Sequence, residues 1–352
     1  MLNAPAFTIP CCGRLAAFML GCAGALAHAP ALAQQAAGPS GPPGPPSLAR
    51  VQERSVGEWL LRMHEASRLR SYEGTFIVSS NSGAMSTARI WHACEGDLQV
   101  ERVESLTGAP RSVFRRNEQV ATFLPESRIV RTERRESLGL FTNLLKAGDS
   151  AIADFYAARR TGIDRVAGHE ADVVQLMPKD SLRYGYRIWS EKKTGLVMKL
   201  QTLDADGTVL EQTAFSELSL DTAIRAEKLS QMMTSTRGWK VEKVEIVKTT
   251  AESEGWQLRT TPAGFRPISC YKRPASTPAP EGTMQWIFSD GLAAVSIFVE
   301  AFDRQRHTQE GLFASGATQT LTRRVQEWWV TVVGEVPPQT LKLFAQSLER
   351  RK

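Results

Sequence analysis

Apolar and polar residues alternate along much of this chain with a period of two, broken in a few places by the three-to-four spacing of a helix. The first helical stretch opens at Ser55. Ser55 and Glu58 have capping-box spacing, and Val56, Trp59, Leu60 and Met63 recur on one face. It should end around Arg70, before Tyr72-Glu73-Gly74. From there to about Leu220 the pattern is that of strands. Phe76 and Val78 alternate with polar neighbours, as do Leu98 with Val100 and Ile129 with Arg131, while Tyr184, Tyr186 and Ile188 stand opposite Arg187. The stretch Leu196 to Leu203, then Asp204-Ala205-Asp206-Gly207, then Thr208 to Phe215 reads as a hairpin. Such alternation implies one buried and one wetter face, and so an antiparallel sheet.

Leu138 to Tyr156 interrupts the strands. Leu140, Phe141, Leu144 and Leu145 form an apolar run, Gly148 breaks it, and Ile152, Phe155 and Tyr156 follow at helical spacing. One or two helices here could cross the concave side of a curved sheet. The residues Leu140, Phe141, Leu144, Leu145, Ile152 and Phe155 could line an acyl-chain pocket, although ordinary core has the same pattern. Over 221–254 the pattern weakens into a connector with some structure. A second strand set follows, at Gln257 to Leu258, Phe265 to Tyr271, Met284 to Phe288, Leu292 to Glu300 and Leu321 to Val336, with a tight turn at Ser289-Asp290-Gly291. A last helix enters through Pro337-Pro338 and carries Leu341, Phe344, Ala345 and Leu348 on one face. Arg350, Arg351 and Lys352 at its end would complement the helix dipole. The expected fold class is α+β, with domains at 53–220 and 255–352 joined by 221–254.

The amino terminus changes the picture. Arg14 precedes an uncharged apolar stretch from Leu15 to Ala27, and Ala31-Leu32-Ala33 has the small-x-small pattern of a cleavage site. Residues 1–33 therefore read as an export signal, leaving Gln34 first. The apolar run falls short of the roughly 20 residues a spanning helix needs. A rival reading lipidates Cys22 after Met19-Leu20-Gly21. Residues 34–52, with Gly38-Pro39-Ser40-Gly41-Pro42-Pro43-Gly44-Pro45-Pro46, read as a Pro/Gly-rich disordered spacer. Cys11, Cys12 and Cys22 would leave with the signal. Cys94 and Cys270 would remain in an oxidising compartment, either joined in one disulfide or as two separately buried thiols.

Formal net charge is +6, or +5 once Arg14 is removed, too small an imbalance to imply nucleic acid, and no finger spacing or RNP-like signature is present. Nucleophile elbow, P-loop, dinucleotide fingerprint and zinc-helix motifs are all missing. No cofactor and no metal is expected, because the histidines left after export lie far apart along the chain. Binding is the better reading. A basic stretch holds Arg115, Arg116, Arg131 and Arg134 among other arginines, a face that could grip an acidic peptide or a lipid phosphate. Cross-strand pairs on a solvated sheet would look the same. Trp328 and Trp329 are adjacent in a strand and point to opposite faces, one towards the core and one open to a partner.

Several blocks carry a resemblance. Trp59-Leu60-Leu61-Arg62-Met63 leading into Tyr72-Glu73-Gly74-Thr75-Phe76 looks like the opening of the MucB/RseB family of periplasmic sigma-factor regulators. The run Arg159-Arg160-Thr161-Gly162-Ile163-Asp164-Arg165-Val166-Ala167-Gly168-His169-Glu170 is similar to a block of its first domain, as are Tyr184-Gly185-Tyr186-Arg187-Ile188-Trp189 and Thr194-Gly195-Leu196. Ser289-Asp290-Gly291-Leu292 and Val332-Val333-Gly334-Glu335-Val336-Pro337 fit its second. The resemblance implies a curved antiparallel half-barrel closed by helices, similar to periplasmic lipoprotein carriers, followed by a smaller α+β domain. It implies binding to the periplasmic domain of a membrane anti-sigma factor, shielding it from proteolysis, with release by lipid-type signals such as lipopolysaccharide. A homodimer stays open, and a lipid or lipoprotein carrier is the alternative function.

Overall fold

The computed structural model describes residues 54–134, 151–273 and 282–351. The export signal, the Pro/Gly spacer and Leu140, Phe141, Leu144 and Leu145 lie outside the described residues. Helix α1 (Val56–Leu69) begins as its sequence predicts. Ser55 Oγ accepts from the Glu58 amide at 3.2 Å, and the Glu58 carboxylate accepts from the Ser55 amide at 2.6 Å. Two donors that a helix start leaves orphaned are thereby satisfied.

The first sheet contains β1 (Tyr72–Ser80), β2 (Met85–Glu95), β3 (Leu98–Ser105), β4 (Ser112–Arg116), β5 (Gln119–Leu124) and β6 (Ile129–Arg134). After the single turn α2 (Ile152–Phe155) come β7 (Tyr156–Val166), β8 (His169–Pro178), β9 (Gly185–Glu191), β10 (Val197–Leu203) and β11 (Val209–Leu220). Its order is β12-β6-β5-β4-β3-β2-β1-β11-β10-β9-β8-β7, where β12 is Lys240–Lys243. Every pair is antiparallel except β12 with β6. The pairing of β1 with β11 is irregular, with a register shift between Thr75 and Phe76. Gly74 is required there, because a Cβ would lie 2.3 Å from the Glu217 carbonyl oxygen.

Alternation gives the two faces different covers. Tyr72, Phe76, Ile90 and Phe215 share a core with Trp59, Leu60 and Met63 of α1. Ala93 and Val100 point the other way and pack against helix α3 (Ala226–Thr234), as do Phe114, Ala121, Phe123 and Val130 beyond them. The connector 221–254 thus supplies a helix to one face of the first sheet. It then places β12 on that sheet's edge and β13 (Val247–Lys248) on the edge of the second sheet.

The second sheet runs β13-β15-β16-β17-β20-β19-β18, from β15 (Arg266–Arg273), β16 (Thr283–Ser289), β17 (Ala294–Ala301), β18 (Gly311–Ser315), β19 (Thr318–Val325) and β20 (Trp328–Gly334). Helix α4 (Pro338–Ser347) buries Leu341 and Phe344 against Phe288, Val295, Ile297, Val330 and Val332. A small pair, β14 (Trp256–Leu258) and β21 (Leu348–Arg350), closes one end.

Three expectations are corrected. The chain is already extended at Tyr156, so the helical spacing there resolves into one turn and the start of β7. Leu321 to Val336 is two strands, turned at Gln326 with φ 55° and without Gly, Pro, Asn or Asp to mark the turn. The last helix stops at Ser347. Arg350 lies in β21, its guanidinium 5.3 and 4.8 Å from the Trp256 and Trp328 ring centres rather than at a helix end.

Candidate functional site

The basic stretch does not form one patch. Cross-strand register pairs Arg115 with Glu101 and Arg131 with Thr122, which places both arginines on the face that α1 shares. Arg116 and Arg134 both pair with Gln119 and lie on the α3 face. Cross-strand pairing holds most of them: Arg115 with Glu101 at 3.4 Å, Arg131 with Glu242 at 3.2 Å and Arg134 with Glu118 at 3.0 Å. Arg116 and Arg134 do come together, at one side of a cavity of about 630 Å³ whose apolar wall includes Ala121, Met233, Val244 and Ile246.

A second group of residues converges where the first sheet meets the second. Between β8 and β9 the chain turns outward and carries Arg183, whose side chain is fully buried. Arg183 Nε donates to Asp290 Oδ2 at 2.7 Å, and its other nitrogens donate to Asp180 and to the Ala263 carbonyl. Asp290 sits in the β16–β17 turn, where its other oxygen accepts from the amides of Leu292 and Ala293 at 2.9 and 2.8 Å. The Tyr156 hydroxyl donates to Asp290 at 3.4 Å. Phe155 and Phe265 lie against the guanidinium at 4.3 and 5.0 Å, so the charge is enclosed by aromatic faces as well as hydrogen bonds. Thr340 Oγ1 donates to the Leu182 carbonyl at 2.7 Å, and Gln339 reaches the Ser181 carbonyl.

Ile152 and Phe155, expected along an acyl-chain pocket, belong to this junction. Ile152 is buried in the core that also holds Leu292, and Phe155 covers Arg183. Gly264 belongs to it too: with φ +83°, a Cβ would lie 2.3 Å from Arg183 Nη2 and 2.7 Å from Phe155. Sequence reading missed Arg183, because a lone arginine before a strand carries no pattern. It found the Asp290 turn without its partner. The Arg183–Asp290 pair is fully buried and spans the two sheets, so removing either member would leave the other uncompensated.

Trp328 and Trp329 are both engaged within the chain. Trp328 faces the core and meets Trp256 edge-on at 5.8 Å. Trp329, on the opposite face, is buried, with His307 stacked on it at 4.8 Å and Phe302 beside it at 6.0 Å. Cys94 and Cys270 are free thiols, one in the first sheet and one in the second, so the disulfide reading is corrected. Burial pushes the Cys270 thiol up to about 12.

Comparison with known proteins places this architecture. Residues 55–233 match the MucB/RseB N-terminal domain and residues 250–349 the MucB/RseB C-terminal domain. The chain is 31% identical over 307 residues to the sigma factor AlgU regulatory protein MucB of Pseudomonas aeruginosa, covering 84% of this chain and 92% of that protein. It is 26% identical over 302 residues to the sigma-E factor regulatory protein RseB of Salmonella typhimurium, covering 84% and 91%. Its fold superposes on a chain of the solved Pseudomonas aeruginosa MucA/MucB complex with a TM-score of 0.64 and 28% identity, covering 84% of this chain and 99% of that one. The chain belongs to the MucB/RseB family.

Proposed function

We propose that this chain is a periplasmic negative regulator of an envelope-stress sigma factor. It binds the periplasmic domain of a membrane-spanning anti-sigma factor, shields it from regulated proteolysis, and releases it when a lipid-type ligand binds. The observation that carries this reading is the match of both domains to a family with a solved member, MucB, in complex with MucA(peri). No described helix is long and apolar enough to cross a membrane.

Regulation requires that lipid and partner prefer different states of the protein. The Arg183 junction offers a physical route. Phe155 is one of the candidate lipid contacts, and its ring covers the guanidinium that holds the Asp290 turn. A ligand that moved Phe155 would expose a buried charge and loosen the contact between the sheets. The test is binding of the immobilised mature chain, from Gln34, to the periplasmic domain of the host's anti-sigma factor. Binding that lipopolysaccharide weakens is the expected result. Failure to bind at micromolar concentration, with lipid still taken up, would replace the regulator with a lipid carrier.

A further inference from the structure

Helix α3 leaves a second cavity of about 630 Å³ beside its first turns, facing β1 to β3. Trp91, Arg102, Thr222, Ile224, Arg225 and Lys228 line it, so that three cations face a single lining carboxylate, Glu73. The cations are held differently. Arg102 donates to Glu104 at 2.8 Å, and its guanidinium lies 4.7 Å from the Trp91 ring centre and 5.5 Å from that of Phe114. Its Nε is nevertheless buried without a hydrogen-bond partner, as is Thr222 Oγ1 on the same cavity. Arg225 and Lys228 are exposed and have no ion-pair partner among the described residues. The α3 amino terminus is already occupied, because the Ala226 amide donates to the Glu95 carboxylate at 2.9 Å.

We propose that this cavity binds a phosphate group carried on a small organic headgroup. Guanidinium and ammonium groups can only donate, and a hydroxyl can donate as well, so the site has a surplus of donors. A phosphate offers several strong acceptor oxygens and the matching charge, and charge-assisted bonds to it are the strong kind. The volume lies within the roughly 300–1,000 Å³ of small-molecule sites. That exceeds the needs of the bare ion, and Trp91 and Ile224 supply apolar wall for the group attached to it. This site lies on the α3 face, away from the Phe155 junction, and does not depend on the regulatory reading.

The test uses the mature chain from Gln34, titrated with sn-glycerol 3-phosphate and separately mixed with vesicles of phosphatidylcholine, with and without phosphatidic acid. Saturable binding of glycerol phosphate supports a soluble source, and binding only to vesicles containing phosphatidic acid supports a membrane headgroup. Arg225→Glu with Lys228→Glu should weaken either by about tenfold or more. Both positions are exposed, and acidic residues at a helix start favour the helix, so this variant should fold. Thr222→Val, which keeps every charge, should weaken binding as well. No saturable binding of either probe, or equal binding by wild type and both variants, would overturn the site. Anti-sigma binding measured on the same variants should be unchanged, which separates failure of this site from failure of the regulatory reading.

Discussion

Arg183 gives up all contact with water and in exchange gains Asp290, Asp180, a backbone carbonyl and two aromatic faces. Arg183→Met should therefore cost about 3–5 kcal/mol in urea unfolding, because Asp290 would be left charged and buried. His92 makes a different prediction. It is buried, stacked on Tyr72 at 5.0 Å and bonded through Nδ1 to the Arg70 carbonyl at 2.9 Å. Burial holds its imidazole below the ordinary histidine value, against the opposing pull of Glu101. As pH falls through about 6.5 the unfolded chain takes the proton before the folded one does. Stability should thus decline with falling pH across that range, and His92→Phe should flatten the slope of a denaturation series. The thiols give a third test. Denatured, non-reduced protein should react with two equivalents of an alkylating reagent after export, and native protein should leave Cys270 unmodified.

At the scale of elements, the reciprocal bonds at Ser55 and Glu58 start α1, which packs Trp59, Leu60 and Met63 into the first sheet's core. Ser55→Ala should lower stability by about 1 kcal/mol, read as a shift of the urea midpoint at constant slope. The cap was legible in the sequence because its chemistry is local. So were the β10–β11 hairpin, marked by Asp204 to Gly207, and the Asp290 turn. The β19–β20 turn was not, since Gln326 adopts a positive φ without any of the residues that usually allow it. The edge strand β18 was missed for another reason. Leu312 and Phe313 are exposed there, so no alternation of buried and wet positions marks it. Among candidate site residues the sequence showed the arginines but not their faces. Arg115 and Arg116 differ by one position, and a strand sends neighbours to opposite sides. Arg183 needed a partner far away in sequence, which no local pattern reveals.

At the scale of the molecule, several contacts among the described residues join the two sheets. The segment from β12 to β13 adds an edge strand to each, and Arg183 inserts between the Asp290 turn and the Ala263 loop. A regulator must pass information between a lipid and a protein partner, and by linkage each ligand must weaken the other by the same factor. The direct measurement is therefore a reciprocal titration on the mature chain. The dissociation constant of the anti-sigma periplasmic domain is measured at rising lipopolysaccharide, and that of lipopolysaccharide at rising anti-sigma domain. The account predicts that both rise, by equal factors at saturation, and that Arg183→Met brings the two factors closer to one. Two ligands that bind independently, with neither constant moving, would contradict it.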